Sequence, residues 1–139
     1  MKKFQFLALA LIVFIVSCGT TRTTSTSKSF NLETTKWQIE ELNGEAIDAK
    51  ADSFTIEFRE DKRIGAKGSC NIIIGDYSYS NDGTLTLRPV GATRTACPDM
   101  TTEMEYISAL EKATSFEVDG NNLTLLSGKK IVAKFKSLQ

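Results

Sequence analysis

From residue 30 onward, the chain consists mainly of short runs in which apolar and polar residues alternate. Phe54, Ile56 and Phe58, for example, are separated by Thr55 and Glu57, a pattern typical of a strand with one buried face. Turn sequences follow or join such runs at Asn43-Gly44, Asp82-Gly83, Asp119-Gly120-Asn121 and Ser127-Gly128. Because sequential hairpins pair strands antiparallel, the pattern predicts a mainly β (α+β) fold. We expect an antiparallel, strongly twisted sheet or partial β-barrel of seven or eight strands.

One segment lacks this alternation and has the spacing of a helix. Between Pro98 and Ala113 there is no glycine, and apolar residues recur three or four positions apart, at Met100, Met104, Ile107 and Leu110. This face predicts one helix that packs on the sheet or plugs the barrel opening. Two starts remain open: one at Pro98-Asp99, and one in a capping box formed by Thr102 and Glu105.

The N-terminus has the organisation of a secretion signal. Lys2 and Lys3 precede residues 4–16, which are apolar except for Gln5. A membrane-spanning helix needs about 20 apolar residues, so this run is short for a stable span and suits a cleaved signal. It ends at Ile15-Val16-Ser17-Cys18, which resembles the lipobox of bacterial lipoproteins. We predict a signal peptide at residues 1–17 and lipidation at Cys18. The alternative is an ordinary signal peptide, or a short anchor, with an incidental Cys18.

The segment after Cys18 is predicted to be a tether. Ser and Thr dominate residues 18–29, which contain no large apolar side chain and therefore cannot offset the entropy of ordering. The folded domain is expected at residues 30–139. We expect a monomer in the cell envelope, held on a membrane by its lipid anchor. The glycine after Cys18 favours location at the outer membrane. Whether the domain faces the periplasm or the cell surface is left open.

The residue composition excludes several classes of chemistry. The chain has no histidine, which excludes Ser-His-Asp and Cys-His nucleophiles and the usual zinc hydrolase sites. Basic and acidic residues are equal in number, 17 each, so the sequence does not indicate the strongly basic surface that nucleic-acid binding requires. We therefore expect no enzymatic activity, no metal ion and no other cofactor. Carboxylate-only or lysine-based catalysis is the remaining enzymatic alternative, for example with Asp99 or Glu103 as a general base.

Two cysteines remain once Cys18 is assigned to lipid. In an exported domain, an even pair predicts a disulfide, here between Cys70 and Cys97. The alternative is a redox-active or metal-binding thiol pair, but there is no Cys-x-x-Cys motif and no histidine to complete a metal site.

Several short motifs occur in a fixed order: Trp37, Leu42-Asn43-Gly44, Gly68-Ser69-Cys70-Asn71, Gly75-Asp76-Tyr77, Thr93-Arg94-Thr95-Ala96-Cys97-Pro98 and Leu123-Thr124-Leu125. Together they resemble the META domain, also called the HslJ-like domain. The resemblance implies a compact β structure with a helix. It also implies a small envelope lipoprotein of a Gram-negative bacterium, a role in stress resistance as in a heat-inducible member, and no attached enzymatic activity.

Arg94 and Asn71 are the candidate binding residues. Arg94 lies just before Cys97, so a disulfide would hold its backbone, and its guanidinium has the geometry to bind a carboxylate or phosphate. We favour the alternative that Arg94 pairs with an internal carboxylate. Asn71 is a candidate ligand contact, but we favour an amide that caps a bend beside the disulfide. Trp37 and Tyr77 are predicted core aromatics with a polar edge.

The run Ile72-Ile73-Ile74 departs from the family pattern, where a more polar or aromatic connection is expected. Strand side chains alternate, so the three cannot all face inward. Either neighbours pack on both sides, or some isoleucines are exposed to a partner or lipid. We favour a strand covered by the tether or the helix.

Two functions of different class follow from these observations. The leading hypothesis is a non-enzymatic, lipid-anchored module that binds an envelope protein or lipid and supports envelope integrity or stress resistance. The alternative is a carrier of a lipid or small apolar ligand inside the partial barrel. A continuous apolar cavity between helix and sheet would favour the carrier, and a filled core would argue against it.

Overall fold

The structure, a computed structural model, describes residues 32–138. The predicted signal peptide at 1–17, the lipidation site Cys18 and the tether at 18–29 lie outside the described residues. Within the described part there are nine strands and one helix. In chain order they are β1 (Lys36–Leu42), β2 (Glu45–Ala46), β3 (Thr55–Phe58), β4 (Arg63–Lys67), β5 (Ile72–Tyr79), β6 (Leu85–Ala92), α1 (Thr101–Lys112), β7 (Ser115–Asp119), β8 (Asn122–Ser127) and β9 (Lys130–Leu138).

The strands form one curled antiparallel sheet. Its order is β6-β5-β4-β3-β1-β9-β8-β7, and the short β2 pairs with β1 alone. The two edge strands meet where β6 begins: the N–H of Leu85 donates to the carbonyl of Thr114 at 2.9 Å, and that of Phe116 to the carbonyl of Gly83 at 2.9 Å. The sheet is therefore a half-barrel that touches itself at one end. The predicted mainly β, antiparallel partial barrel is confirmed.

Helix α1 lies across the barrel between the edge strand and the opposite wall. It contacts β6 at the sheet edge and also β9, β1 and β8. A helix in this position covers part of an edge that would otherwise expose unpaired backbone groups. Among residues 32–138, no helix is both long enough and apolar enough to cross a membrane.

The buried face of α1 differs from the predicted one. The buried residues are Glu103, Tyr106, Ala109 and Leu110, whereas Met104 is 65% exposed. The prediction for Met104 is wrong because the face is set by Tyr106, whose hydroxyl donates to the carbonyl of Thr55 on β3 at 3.0 Å. The helix starts close to Pro98-Asp99, and the alternative capping box lies inside it.

The interior of the half-barrel is filled by large side chains. Trp37, Tyr106 and Phe135 are each 0% exposed. Tyr106 meets Phe54 edge to face, with ring centroids 5.6 Å apart, and lies 6.3 Å from the ring of Phe135. Other fully enclosed side chains are Phe58, Ile56, Ile64, Ile73, Leu110, Leu123 and Leu125. The space between α1 and the sheet is therefore occupied by core side chains.

A bulge in β9 interrupts the alternation of buried and exposed side chains. The register pairs Leu125 with Ala133 and Leu126 with Ile131, which leaves Val132 as an extra residue. The bulge turns Val132 inward and leaves Ile131 37% exposed. Strict alternation along β9 would put Ile131 on the same buried face as Ala133, but the register with β8 exposes it instead.

The three consecutive isoleucines of β5 divide between the two faces. Ile73 points into the core, whereas Ile72 and Ile74 are 55% and 45% exposed. The helix does not cover them, so that part of the favoured interpretation is wrong. The tether lies outside the described residues.

The packing of α1 generates a test. We expect Tyr106→Phe to lower the free energy of unfolding by about 1–2 kcal/mol, because the buried carbonyl of Thr55 loses its hydrogen bond. Met104→Ala should change it by less than about 0.5 kcal/mol, since the side chain is exposed. Urea denaturation measures both, and a larger loss for Met104→Ala would contradict the observed face.

Candidate functional site

Three segments that are distant in sequence meet at one end of the domain. The first is the turn between β4 and β5, residues 68–71, and the second is the loop between β6 and α1, residues 93–100. The third is the first turn of α1, which contributes Glu103. The sequence-predicted residues Cys70, Asn71, Arg94 and Cys97 all lie in the first two segments.

The carboxylate of Glu103 joins the helix to the first turn. Glu103 is 1% exposed. One oxygen accepts hydrogen bonds from the backbone N–H of Cys70 at 2.8 Å and of Asn71 at 2.9 Å, and the hydroxyl of Ser69 lies 3.4 Å away. The other oxygen accepts from the Asn71 side-chain amide at 2.7 Å. Each oxygen of this buried carboxylate thus has at least one donor from the turn.

These contacts also set the charge of Glu103. Burial raises the pKa of this carboxyl, but the hydrogen bonds from Asn71, Cys70 and Ser69 outweigh burial, and its pKa lies below the ordinary value. Glu103 is therefore ionised at neutral pH. Its oxygens are occupied by structural hydrogen bonds.

The close approach of Glu103 explains why residue 68 is glycine. A Cβ on Gly68 would lie 2.3 Å from a carboxylate oxygen of Glu103 and 2.6 Å from its Cγ. The N–H of Gly68 also donates to the carbonyl of Asn71 at 2.8 Å, which closes the turn. In the Gly68-Ser69-Cys70-Asn71 motif, each residue therefore either makes room for the carboxylate or supplies a donor near it.

Asn71 joins the turn to the second loop. Its side-chain oxygen accepts hydrogen bonds from the Thr93 hydroxyl at 2.8 Å and from the N–H of Thr95 at 2.8 Å. Its amide nitrogen donates to Glu103 and approaches the carbonyl of Thr95 at 3.4 Å. Because Asn71 is 1% exposed, the structure places it inside the domain, with its amide engaged by other residues of the chain.

A disulfide between Cys70 and Cys97 closes the same two segments covalently. The cysteines are 27 residues apart in sequence. A crosslink over a loop of that length stabilises a fold by about 3.5 kcal/mol on the chain-entropy model. The hydrogen bonds and the disulfide together restrain the loop that precedes α1 at several points.

Arg94 lies on this restrained loop and is exposed. The preceding Thr93 donates its N–H to the carbonyl of Ile72 at 3.0 Å, and the following Thr95 is bound by Asn71. Within residues 32–138, the Arg94 guanidinium has no ion pair or hydrogen bond, and residues 1–31 contain no Asp or Glu. The favoured interpretation, an ion pair to an internal carboxylate, is therefore wrong for the described part of the chain.

Sequence reasoning missed the structural role of Glu103. It treated Glu103 as a candidate base, whereas the structure makes it the centre of the hydrogen-bond network. A usable signal exists, because Glu103, Tyr106 and Leu110 are spaced by three and four residues. That spacing puts the carboxylate on the same helical face as two large core residues.

The two predicted core aromatics lie where the sequence indicates. Trp37 is 0% exposed and Tyr77 is 4% exposed. The Tyr77 hydroxyl lies 2.7 Å from the carbonyl oxygen of Arg59 and 2.8 Å from a carboxylate oxygen of Glu33. Burial raises the pKa of Tyr77, and the neighbouring Glu33 carboxylate adds to the rise. The prediction that both are core aromatics is confirmed, and the Tyr77 hydroxyl supplies a polar edge.

The arrangement of these motifs corresponds to a known family. The family model for the META domain matches residues 30–138. This chain belongs to the META domain family. The Gly68–Asn71 turn and the Thr93–Pro98 loop of this META domain are thus the two segments that Glu103, Asn71 and the disulfide hold together.

Solved structures share the fold of this META domain. A DUF4847 family protein from Bacteroides vulgatus superposes with a TM-score of 0.60 at 19% identity, over 76% of this chain and 93% of that one. A protein solved by NMR superposes with a TM-score of 0.57 at 27% identity, over 76% of this chain and 90% of that one. Among curated proteins, none matches the chain.

The close contact at Gly68 predicts a pronounced effect of a single methyl group. Gly68→Ala should lower the free energy of unfolding by about 2–3 kcal/mol, because the methyl group displaces the Glu103 carboxylate from its donors. Gly91→Ala is the matched control, since a Cβ there meets no atom within 4 Å, and should cost less than about 0.5 kcal/mol. Equal effects in chemical denaturation would refute this account of the turn.

The charge of Glu103 predicts a pH-dependent stability. Glu103→Gln should lower the free energy of unfolding at pH 7 by about 2–3 kcal/mol, because an amide cannot satisfy all the donors. The ionised carboxylate stabilises the fold above the unfolded-state pKa of 4.5, and this contribution is lost as pH falls through the lowered folded-state pKa. The difference from wild type should therefore shrink below about pH 4. Glu105→Gln, at an exposed helix position, is the control. If the stability difference between Glu103→Gln and wild type stayed constant from neutral to acid pH, the ionised state assigned to Glu103 would be contradicted.

Proposed function

We propose that this META domain protein is a non-enzymatic, lipid-anchored protein of the bacterial envelope, positioned at the outer membrane by Cys18. The domain acts as a monomeric binding module that supports envelope integrity or stress resistance. The observation that carries the proposal is the position of Arg94. Its guanidinium is exposed and has no partner within residues 32–138, while residues on both sides of it are held in place.

An exposed guanidinium on a restrained backbone suits recognition of an anion. Arg binds carboxylate or phosphate through two parallel hydrogen bonds. A backbone that is already fixed lowers the entropy lost when the group binds. The contacts of Thr93, Thr95 and Cys97 restrain that backbone. The proposed ligand is therefore a partner that presents a carboxylate or phosphate to this loop.

The two candidate general bases support the non-enzymatic part of the proposal. Glu103 is occupied by the hydrogen bonds of the turn. Asp99 accepts a hydrogen bond from the N–H of Thr101 at 2.9 Å at the start of α1, and this bond lowers the pKa of Asp99. Both carboxylates hold the backbone, and the chain has no histidine to act in their place.

The filled interior argues against the carrier alternative. An acyl chain inside the half-barrel would need the space that Tyr106, Leu123 and Phe135 occupy, and each of these is 0% exposed. We therefore place the contacts of a partner on the surface of the domain, at the loop of residues 93–100, called the Arg94 loop.

Photo-crosslinking in intact cells tests the proposal. A photoreactive amino acid at Ala96, which is exposed on the Arg94 loop, should form a discrete crosslink. Arg94→Ala should weaken that crosslink about 10- to 100-fold, the range expected for loss of a charged hydrogen bond. Arg94→Lys keeps the charge without the planar fork and should fall between wild type and Arg94→Ala.

The same photoreactive residue at Lys129, in the exposed turn between β8 and β9, is the control. Its crosslinks should not respond to Arg94→Ala. An unchanged crosslink at Ala96 in Arg94→Ala cells would overturn the role of Arg94.

Fractionation of Cys18→Ala cells tests the anchor, since unchanged membrane association would remove Cys18 from the proposal.

A further inference from the structure

The outer face of β4, β5 and β6 has an apolar centre. Ile72 and Ile74 point out of the sheet and are 55% and 45% exposed. The residues that flank Ile74 in the register are Gly65 on β4 and Gly91 on β6. Neither neighbour has a side chain, and the space over Gly65 holds the guanidinium of Arg59, so Ile74 is bordered by a cationic group.

All four arginines of the described part lie on or beside this face. Arg63 and Arg88 are opposite Asp76, two positions after Ile74 on β5. The guanidinium of Arg59 lies over Gly65, where a Cβ would be 2.8 Å from it. The fourth, Arg94, follows Thr93, whose backbone is hydrogen-bonded to Ile72.

The ion pairs of the domain leave these arginines free. Every ion pair among residues 32–138 uses a lysine, and none uses an arginine. All four arginines are exposed. The carboxylates on this face are Asp76, Glu57 and Asp52, and Asp52 pairs with Lys36 and Lys67. The guanidinium groups therefore outnumber the carboxylates that remain around the apolar centre.

We propose that this face docks on the surface of the anionic bilayer in which the protein is anchored. We call it the arginine–isoleucine face and define it by Arg59, Arg63, Ile72, Ile74, Arg88 and Arg94. The guanidinium groups bind lipid phosphates, and the two isoleucines insert between headgroups. The inference rests on the proposed lipid anchor for proximity, and it names the phosphate-bearing bilayer as the partner of the surface that includes Arg94.

The size and chemistry of the face favour a bilayer over a protein partner. Its apolar part consists of two isoleucines, whereas a stable protein interface buries about 800 Å² on each side. Unpaired guanidiniums match phosphate, and basic groups are attracted to anionic membrane surfaces. Residues 18–32 span at most about 50 Å when extended, so an anchored domain stays near the bilayer and a weak contact is sufficient.

Spin labels on the lipidated full chain test the inference. Ile74→Cys and, as a matched control, Ile131→Cys each carry one nitroxide, because Ile131 is a similarly exposed isoleucine on β9. The protein is reconstituted in vesicles of equimolar phosphatidylglycerol and phosphatidylcholine. Power saturation then compares the accessibility of each label to oxygen and to a polar nickel complex. The label at residue 74 should gain oxygen and lose nickel accessibility, and the label at residue 131 should remain in water.

Charge variants add a second readout. Arg63→Gln and Arg88→Gln should each lower the ratio of docked to undocked protein about fivefold, the effect of one basic group at an anionic surface. Lys129→Gln, on an exposed turn outside the face, should leave it unchanged.

The possible failures can be told apart. If the protein stays on the vesicles but both labels remain in water, the docking inference is wrong and the anchor stands. If the protein does not stay on the vesicles, the anchor and the docking both fail. Equal immersion in vesicles of phosphatidylcholine alone would overturn the role assigned to the arginines. If the label at residue 74 stays in water on vesicles but is shielded in native membranes, the face binds a protein partner instead of the bilayer.

Discussion

The buried carboxylate of Glu103 is the interaction that organises one end of this domain. A charged group inside a protein is tolerated when donors surround it, and here those donors come from Asn71 and from the backbone of the turn it closes. The contact leaves no room for a side chain at Gly68. It also holds Asn71 in the position from which its amide binds Thr93 and Thr95. The disulfide closes the same segments covalently, so hydrogen bonds and chain connectivity enforce one geometry.

This arrangement separates the parts of the domain that maintain the fold from the parts that are free to bind. The core is filled with aromatic and aliphatic side chains, and several surface lysines pair with neighbouring carboxylates. Arginines and two isoleucines remain without such partners on one outer face. A rigid loop lowers the entropy lost when Arg94 meets an anion. Both proposals therefore place binding on the surface of a META domain whose interior is already occupied.

The errors of sequence interpretation have a common physical cause. The spacing of apolar residues predicted that Met104 lies on the buried face of α1. That spacing gives no signal for a buried glutamate, because the donors that stabilise Glu103 lie more than 30 residues away in sequence. The strand β4 gives little signal, since Gly65 and Ala66 interrupt any alternation of large residues. The exposure of Ile131 follows from a bulge that depends on the register with β8. In each case the missing information is the position of a group distant in sequence.

The sequence by itself determined the features that depend on near neighbours. Turn residues such as Asp82-Gly83 and Gly120 set the hairpins, since their backbone geometry is local, and the pattern of short runs indicated an antiparallel sheet with one helix. Two cysteines available for pairing indicated the disulfide. Only the tertiary structure decided which helical face is buried, where β6 meets β7, and that Arg94 has no partner within the described chain. These features depend on which distant groups come close enough to supply a donor, a carboxylate or a packing surface, and no local pattern records that.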